Sequence, residues 1–187
     1  MTDTLAPATP SVFLEQIAWA QSEAEKEEEK RLLALFTKEH QKRYKTALVI
    51  GRFQPFHRGH FFLLKASLAI AQNIVIGIGS SNVQDGNKNP FSLQDRQDMV
   101  KKALERHKPV KDRVRDIVLL PDVPDDAIWY RETLEATGPI DVAVSNNDWI
   151  HRVFAPKGIP SLTTPLLKRE KYEGETIRVK LRKMGLL

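Results

Sequence analysis

The chain is 187 residues long and 41% hydrophobic, which is enough apolar material for one sizeable core and favours a single catalytic domain. Its 29 Lys and Arg against 24 Asp and Glu give a net charge of +5, which suits phosphate-rich ligands but is weaker than most dedicated nucleic-acid binders need. Because the chain has no Cys, a disulfide framework, a cysteine zinc site and a thiol nucleophile are all excluded.

The first 43 residues differ in character from the rest of the chain. Residues 1–10 mix small residues with prolines and predict a flexible tail, and residues 11–43 predict a helical extension of one or two amphipathic helices. This segment lacks the basic and apolar regions of a signal peptide, and no apolar run approaches the roughly 18 residues of a membrane span. We therefore expect a cytoplasmic protein with no membrane partner and no nucleic-acid partner.

The apolar residues of this extension leave two interpretations open. The helices either cap the catalytic domain, or they contact a partner or a second copy of the chain. A homo-oligomer is our expectation. The residues concerned are Leu32, Leu33, Leu35 and Phe36.

From residue 44 to residue 187, short β-branched runs alternate with longer helical patterns. This alternation predicts an α/β domain, a Rossmann-like three-layer fold with a central parallel sheet. The predicted strands are Ala47–Ile50, Asn73–Ile78, Asp116–Leu120, Asp141–Ser145 and Ser161–Thr163. The predicted helices are Gly59–Ala71, Ser92–Arg106, Asp125–Ala136, Asp148–Phe154 and Gly174–Met184. Ligands of such sheets bind beyond the carboxyl ends of the strands, so we expect the chemistry in the loops that follow them.

The loop after the first strand reads GRFQPFHRGH and carries groups that suit phosphate binding. Gly51 leaves the backbone open to a ligand, and Arg52 offers paired donors. Gly59 opens a helix whose free amides can face an anion. His57 and His60 lie three residues apart, so both can donate hydrogen bonds to one phosphate group as negative charge builds up on it.

The histidine pair has two other interpretations. Isolated histidines commonly make structural contacts, but the strand, the Arg and the turn around this pair favour a functional site. A zinc site is the second alternative, and no third ligand lies nearby in the sequence.

These residues resemble the nucleotidyltransferases with an H-x-G-H signature, and within them the archaeal-type nicotinamide-mononucleotide adenylyltransferases. The resemblance extends over residues 46–187 and includes the segments GIGSSN, NPFSLQDR, AIWY, VSNNDWIHRVF and KREKYEGETIR in the family's order. It implies adenylyl transfer from ATP, with Mg²⁺ bound to the ATP, and it implies no metal ligands from the protein.

The resemblance also implies roles for individual residues. His57, His60 and Arg178 are implied as the catalytic groups. Trp129 is implied to stack on the nicotinamide ring, although a core tryptophan is the alternative, and Asp122 has a turn or capping residue as its alternative. The full set of implied substrate-binding residues is Gly51, Arg52, Phe53, Gln54, Gly59, Ser80, Lys88, Asp122, Trp129, Asn146, Gly174 and Thr176.

The chain departs from the family pattern at two places, Lys88 and the residues on either side of Gly174. Lys88 stands where Arg is usual, so a forked donor has become a point charge. Glu173 and Glu175 flank Gly174 where Ser and Thr are common, and carboxylates beside a triphosphate repel it unless they point away or meet Mg²⁺. The basic residues Lys168, Arg169 and Lys171 are either a solvated surface or a second phosphate clamp.

The reaction implied is attack of an acceptor 5′-phosphate on the α-phosphorus of ATP, which gives NAD and pyrophosphate when the acceptor is nicotinamide mononucleotide. An FMN or other small phosphorylated acceptor is the first alternative, and a catalytically weak nucleotide sensor is the second. A fragment of a class I aminoacyl-tRNA synthetase is disfavoured, because the chain has no lysine-rich KMSKS-like loop.

Overall fold

The computed structural model describes residues 17–187, so the predicted tail and the start of the helical extension lie outside the described residues. The strands are β1 (Tyr44–Gly51), β2 (Ala71–Gly79), β3 (Val114–Leu120), β4 (Val142–Val144) and β5 (Ser161–Leu162). The helices are α1 (Glu23–Glu39), α2 (Arg58–Ile70), α3 (Leu93–Glu105), α4 (Lys108–Lys111), α5 (Asp126–Thr137), α6 (Asp148–Phe154), α7 (Arg169–Tyr172) and α8 (Gly174–Lys183). A 3₁₀ turn, Ala155–Lys157, follows α6.

The five strands form one parallel sheet in the order β3-β2-β1-β4-β5. Strand β1 is central, and Val49 lies opposite Ile76 of β2 and opposite Val144 of β4. The chain builds outward from β1 through β2 to β3, and then returns to the other side of β1 to form β4. Strand order therefore reverses between β1 and β4, which is where such folds place their ligands.

Helices cover both faces of the sheet, as the predicted three-layer fold requires. On β1, Ala47 and Val49 face one apolar cluster, whereas Leu48 and Ile50 face the other. This alternation follows from the two-residue period of a strand. The first cluster includes buried residues of α1, α2 and α3, and the second includes residues of α5 and α6.

The elements agree with the predicted ones to within three residues at each end. Several helix starts are fixed by capping residues that the sequence contains. Ser22 and Glu25 form a reciprocal capping box on α1, and Ser92 and Asp95 form another on α3. The Asp125 carboxylate accepts hydrogen bonds from two backbone amides at the start of α5. The short helices α4 and α7 were not predicted.

Helix α1 packs on the sheet domain, which matches the capping interpretation. Phe36 is buried in the first apolar cluster, and Leu33 packs against it. Leu32 packs against Phe62 and Tyr172, whereas Leu35 is exposed. Within residues 17–187, the model contains no helix with the length and apolar character of a membrane span.

Candidate active site

The loop after β1 is tightly packed at the carboxyl edge of the sheet. Phe53, Gln54, Phe56 and His57 are all buried in it. Phe53 has a φ of 52°, a left-handed conformation that is costly for a residue other than Gly. Gly51 permits this turn, because a Cβ on Gly51 would lie 2.5 Å from the Phe53 ring. The sequence therefore builds a fixed frame for the residues that follow.

Gln54 connects this loop to two other segments. Its side-chain oxygen accepts a hydrogen bond from the Phe91 amide at 3.0 Å, and its side-chain nitrogen donates to the Phe91 carbonyl at 3.1 Å. Its backbone carbonyl accepts a 2.7 Å hydrogen bond from Arg178. The side-chain amide of Gln54 is thus engaged by the protein, and its predicted contact with a nucleotide remains a prediction.

His57 and His60 lie side by side at the start of α2. His57 is the N-cap residue, and its Nδ1 accepts a 3.4 Å hydrogen bond from the backbone amide of His60. The two rings stack with their centroids 3.7 Å apart. Because Nδ1 of His57 is an acceptor, the proton of the neutral ring lies on Nε2. Nδ1 of His60 is buried and has no hydrogen-bond partner among the described residues.

Both imidazoles favour the neutral form in the ligand-free protein. Burial lowers the pKa of His57 well below its usual range, and the nearby His60 and Arg178 lower it further. Burial also lowers the pKa of His60, to about 3. Each ring then has one N–H to donate near pH 7, and a bound polyanion would favour a second proton on either ring.

Arg178 reaches the same place from the other side of the site. It is buried, it lies in the second turn of α8, and it lines a cavity of about 200 Å³ together with Arg52, His57 and His60. Burial lowers the pKa of the Arg178 guanidinium, and the positive charge of Arg52 lowers it further. A guanidinium keeps its proton under such conditions, so these two arginines supply a concentrated positive charge.

Gly174 allows the start of α8 to approach this cavity. A Cβ on Gly174 would lie 3.1 Å from the carbonyl oxygen of Gln54 and 3.2 Å from Nη1 of Arg178. Two helix starts therefore face one small cavity, those of α2 and α8. Free backbone amides at helix starts favour anions, and phosphate groups are the anions that this combination suits.

The two glutamates beside Gly174 are arranged differently from each other. The carboxylate of Glu173 accepts a hydrogen bond from Arg169 at 3.0 Å, so much of its charge is balanced within the protein. Glu175 is exposed and acts on Arg178 through its charge, which favours the protonated guanidinium. The predicted repulsion between Glu173 and a bound triphosphate is therefore reduced by Arg169, a pairing that the sequence did not predict.

A larger cavity of about 860 Å³ adjoins the histidines and extends between β1 and β4. Trp129 lines it, but its ring is only 3% exposed and packs edge to face on Trp149 with centroids 4.5 Å apart. The structure thus places Trp129 at the boundary between core and cavity. The predicted residues that line this cavity are Gly51, Arg52, His57, Gly59, His60, Ser80, Asp122, Trp129, Asn146 and Gly174.

Three of these residues, Ser80, Asp122 and Asn146, take part in hydrogen bonds that connect neighbouring loops. The Ser80 hydroxyl donates to the Asp122 carboxylate at 3.1 Å, which holds the loops after β2 and β3 together. Asn146 donates to the Thr164 hydroxyl at 3.2 Å and accepts from the Thr164 amide at 2.8 Å. Ser80 and Asn146 thus connect loops at the cavity wall through internal hydrogen bonds.

Lys88 and Thr176 line neither cavity. Lys88 is exposed, and its backbone amide donates to the Asp85 carboxylate at 2.8 Å. Hydrogen bonds, above all from Asn89, lower the pKa of Asp85 to about 2. We call the small cavity between the α2 and α8 helix starts the cradle. The loop of Lys88 contacts the cradle through Asn89, which accepts a 3.4 Å hydrogen bond from Arg52. The substrate contacts predicted for Lys88 and Thr176 remain predictions.

Arg96 is the main structural residue that sequence analysis missed. Its neighbour Asp95 belongs to the capping box at the start of α3, but Arg96 has a different role. Arg96 is fully buried and donates to the carbonyls of Arg52, Gly79 and Ser80 at 2.9–3.1 Å. It thereby joins the ends of β1 and β2 beneath the cradle. A Ser-x-x-Asp box followed by Arg gives no sequence signal for such burial.

Other residues of the larger cavity were also missed. Trp149 lies in the segment VSNNDWIHRVF, but the sequence predicted no role for it. Lys168, Arg169 and Lys171 do not act together as a solvated surface or as a second phosphate clamp. Lys168 and Lys171 pair with glutamates of α1, and only Arg169 of the three lines the cavity. The remaining polar and aromatic cavity residues include Asn147, Asp148, Trp149, Arg152 and Tyr172.

Comparison with known proteins agrees with this geometry. A sequence model of the cytidylyltransferase-like family matches residues 48–178. The nicotinamide-nucleotide adenylyltransferase of Methanolobus tindarius is 38% identical over 139 residues, which cover 72% of this chain and 76% of the relative. The enzyme of the same name from Thermoplasma acidophilum is 33% identical over 73% of this chain and 75% of its own length.

Solved structures show the same similarity. A bifunctional NMN adenylyltransferase/ADP ribose pyrophosphatase from Francisella tularensis, complexed with AMP and a manganese ion, superposes with a TM-score of 0.63 and 26% identity. The superposition covers 75% of this chain and 42% of that one, so this chain corresponds to less than half of the bifunctional protein. From its sequence and its structure, this chain belongs to the cytidylyltransferase-like nucleotidyltransferases and, within them, to the nicotinamide-nucleotide adenylyltransferase family.

Proposed function

We propose that this protein joins the AMP moiety of ATP to nicotinamide mononucleotide. An oxygen of the acceptor's 5′-phosphate attacks the α-phosphorus of ATP in line with the leaving group. The bond between the α-phosphorus and the bridging oxygen to the β-phosphate breaks, and pyrophosphate leaves with the electron pair. The products are NAD and pyrophosphate, and no covalent enzyme intermediate forms.

One observation carries this proposal: two helix starts, two arginines and two stacked histidines converge on one small cavity beside a larger one. The small cavity has the donors that a polyphosphate needs, and the larger one has room for a nucleotide. No described group in the arrangement is paired as a nucleophile with its base. Transfer between two bound phosphates needs only positioning and charge stabilisation.

The proposed roles follow from where each side chain lies. Arg52 and Arg178 bind the polyphosphate, and Gly174 lets the α8 amides share that task. His57 and His60 donate their N–H groups where negative charge develops on the phosphate oxygens. Because the two rings stack on each other and His60 also packs against Phe53, they need no rearrangement at the moment of reaction.

The larger cavity supports a flat, cationic acceptor. Trp129 and Trp149 form one wall, and the cavity is also lined by Asp122 and Asp148. An aromatic face and carboxylates both stabilise a pyridinium ring. This combination favours nicotinamide mononucleotide over an acceptor with an anionic ring substituent.

Mg²⁺ enters this scheme as part of the substrate MgATP. Among residues 17–187, no group of three or more His, Asp or Glu side chains is placed to hold a metal ion. At phosphate sites, Mg²⁺ is commonly held by the phosphate oxygens and water together with one or two carboxylates.

The proposal is tested with a panel of acceptors. Purified protein is given ATP and Mg²⁺ with nicotinamide mononucleotide, nicotinic acid mononucleotide, FMN or phosphopantetheine, and pyrophosphate and dinucleotide products are measured. We expect rapid NAD formation that is lost in a His60→Ala variant. Preference for nicotinic acid mononucleotide, FMN or phosphopantetheine would overturn the nicotinamide assignment, and ATP binding without turnover on any acceptor would favour a nucleotide sensor.

A further inference from the structure

Helix α1 presents a row of glutamates to the catalytic domain. Glu28 and Glu29 follow Glu25 by three and four residues and therefore lie on the same face of the helix as Glu25. The Glu29 side chain is only 3% exposed, and that of Glu25 is 13% exposed. Glu27, on another face, is 69% exposed and pairs locally with Lys30. Three carboxylates of α1 are thus committed to contacts outside their own helix.

Glu29 binds the helix that carries the catalytic histidines. One carboxylate oxygen accepts from Arg58 through Nε at 2.9 Å and through Nη2 at 2.7 Å. The other accepts from Lys65, two turns further along α2. Burial alone would raise the pKa of Glu29, but the hydrogen bonds from Lys65 and Arg58 outweigh it and hold the pKa below its usual value. Arg58 lies between His57 and Gly59, so this contact acts directly on the start of α2.

Glu25 and Glu28 bind the segment that leads into α8. Glu28 pairs with Lys168 at 2.7 Å, and Glu25 pairs with Lys171 at 2.8 Å. The hydroxyl of Tyr172, two residues before Gly174, donates to the carbonyl of Ala20 at 2.7 Å. The contacts of α1 and of the residues just before it therefore extend to Tyr172, two residues before α8 begins at Gly174.

The two bound segments also touch each other. A Cβ on Gly59 would lie 3.2 Å from the carbonyl oxygen of Tyr172, so α2 and α7 meet closely beside the cavity. A single helix, which lies outside the residues 48–178 that match the family model, is thus attached to both sides of the phosphate site. The separation of the two sides determines whether the histidines and Arg178 reach the same phosphates.

We propose that Glu25, Glu28 and Glu29 are positioning residues for adenylyl transfer, and that they fix the distance between the α2 and α8 helix starts through contacts with α2 and α7. The inference rests on the proposed function. These glutamates act through Arg58, Lys65, Lys168 and Lys171 and do not touch the substrates. Misplacement of reacting groups by about 1 Å can cost up to about 100-fold in rate, so contacts remote from the cavity can control turnover.

The first test is the Glu29→Gln variant, which removes the charge and keeps the shape. We expect kcat to fall by about tenfold while the KM of the acceptor changes little, because the acceptor cavity is unaltered. Asp141→Asn is a matched control for stability, since Asp141 accepts a hydrogen bond from the Thr46 amide at 2.7 Å at the opposite end of β1. A folded Glu29→Gln protein with wild-type kcat would overturn the role of Glu29.

A charge exchange keeps the proposal testable if Glu29→Gln does not fold. Glu28→Lys and Lys168→Glu each place like charges together, and the double variant restores an opposite pair. We expect each single variant to lower kcat about fivefold, and the double variant to recover to within about twofold of the wild type. Glu27→Lys makes the same charge change on an exposed face of the same helix and should leave kcat unchanged. A double variant that is no better than the single ones would contradict the proposal.

Pyrophosphate binding separates this inference from the proposed function. Wild-type protein that forms no dinucleotide product with any acceptor of the panel would refute the adenylyl transfer itself. The affinity for inorganic pyrophosphate, measured by calorimetry, would still report on the cradle. We expect Glu28→Lys to weaken pyrophosphate binding severalfold and the double variant to restore it. Unchanged affinity in Glu28→Lys would count against positioning whatever the reaction is.

Discussion

Replacement of His60 by Ala should reduce turnover far more than it reduces stability. The variant removes one fixed donor at a site of developing negative charge, and the loss of one such donor lowers kcat by about 100- to 1,000-fold in enzymes that rely on them. His60 is more informative than His57 for this purpose, because His57 also caps α2 and its loss would disturb the helix start.

The stability of this variant can be bracketed from the packing of the ring. His60 contacts His57 at a centroid distance of 3.7 Å, Phe53 at 5.0 Å and Phe56 at 5.6 Å, and each aromatic pair contributes about 0.5–1.5 kcal/mol. Its Nδ1 is buried without a partner among the described residues, and burial of such an atom costs about 1–3 kcal/mol that truncation removes. These effects oppose each other, so we expect the free energy of unfolding to fall by less than about 3.5 kcal/mol.

The assay measures kcat and KM with ATP and nicotinamide mononucleotide, and urea unfolding at pH 7 measures stability. His107→Ala is the matched control, because that ring also stacks on a phenylalanine, Phe61, at 4.3 Å but lines neither cavity. His107→Ala should retain wild-type turnover. If His60→Ala retains it as well, the catalytic role of the histidine pair is refuted.

Three further predictions concern the cradle and its support. The unfolded chain binds protons on His57 and His60 below pH 6.5, whereas burial holds both pKa values lower in the folded protein. The free energy of unfolding should therefore be fully retained above that pH and should fall as the pH falls toward 3, by up to about 1.4 kcal/mol per pH unit for each histidine. The free energy of unfolding, measured by urea titration at each pH, should change less steeply with pH in His60→Ala than in the wild type. An unchanged pH dependence would contradict the assigned burial. Gly174→Ala should raise the KM of ATP severalfold at similar stability, because its Cβ crowds Gln54 and Arg178, and an unchanged KM would argue against the α8 helix start as a phosphate site. Arg96→Met should lower the free energy of unfolding by about 3 kcal/mol or more, because three carbonyls lose their donor, and a variant as stable as the wild type would show that water replaces them.

Most of the fold could be predicted from the sequence because the signals are local. Residues 47–50 of β1 form a continuous apolar run, and the capping box of Ser92 and Asp95 predicts the start of α3. The helices α4 and α7 were missed because each has only four residues, too few to show a helical period. Tertiary contacts stabilise such short helices, and these are not visible in a sequence.

The candidate site was predictable where one segment carries several groups. His57, Gly59 and His60 lie in one loop and helix start, so their proximity follows from spacing alone. Arg178 could be joined to them only through the family resemblance, since 118 residues separate it from His60 in the chain. In the structure, Arg178 of α8 lies beside the histidine loop, because its guanidinium donates a hydrogen bond to the Gln54 carbonyl.

Contacts between distant charges were the hardest to foresee. A Glu-rich helix gives no indication of which side faces a domain, so the contacts of the α1 glutamates could not be predicted. Their partners Arg58, Lys168 and Lys171 carry no sequence feature that pairs them with glutamates of another helix. Glu29 is buried only because two cations of α2 meet it, and that arrangement depends on how α1 docks.

The measurement that most directly tests the central claim is the stereochemistry at the α-phosphorus. The protein is given nicotinamide mononucleotide and a single diastereomer of ATP that carries sulfur on its α-phosphate. The configuration at the sulfur-bearing phosphorus of the NAD product is then determined. Direct in-line transfer between two bound phosphates predicts inversion of configuration. Retention would mean two successive displacements through a covalent adenylyl-enzyme and would contradict the account.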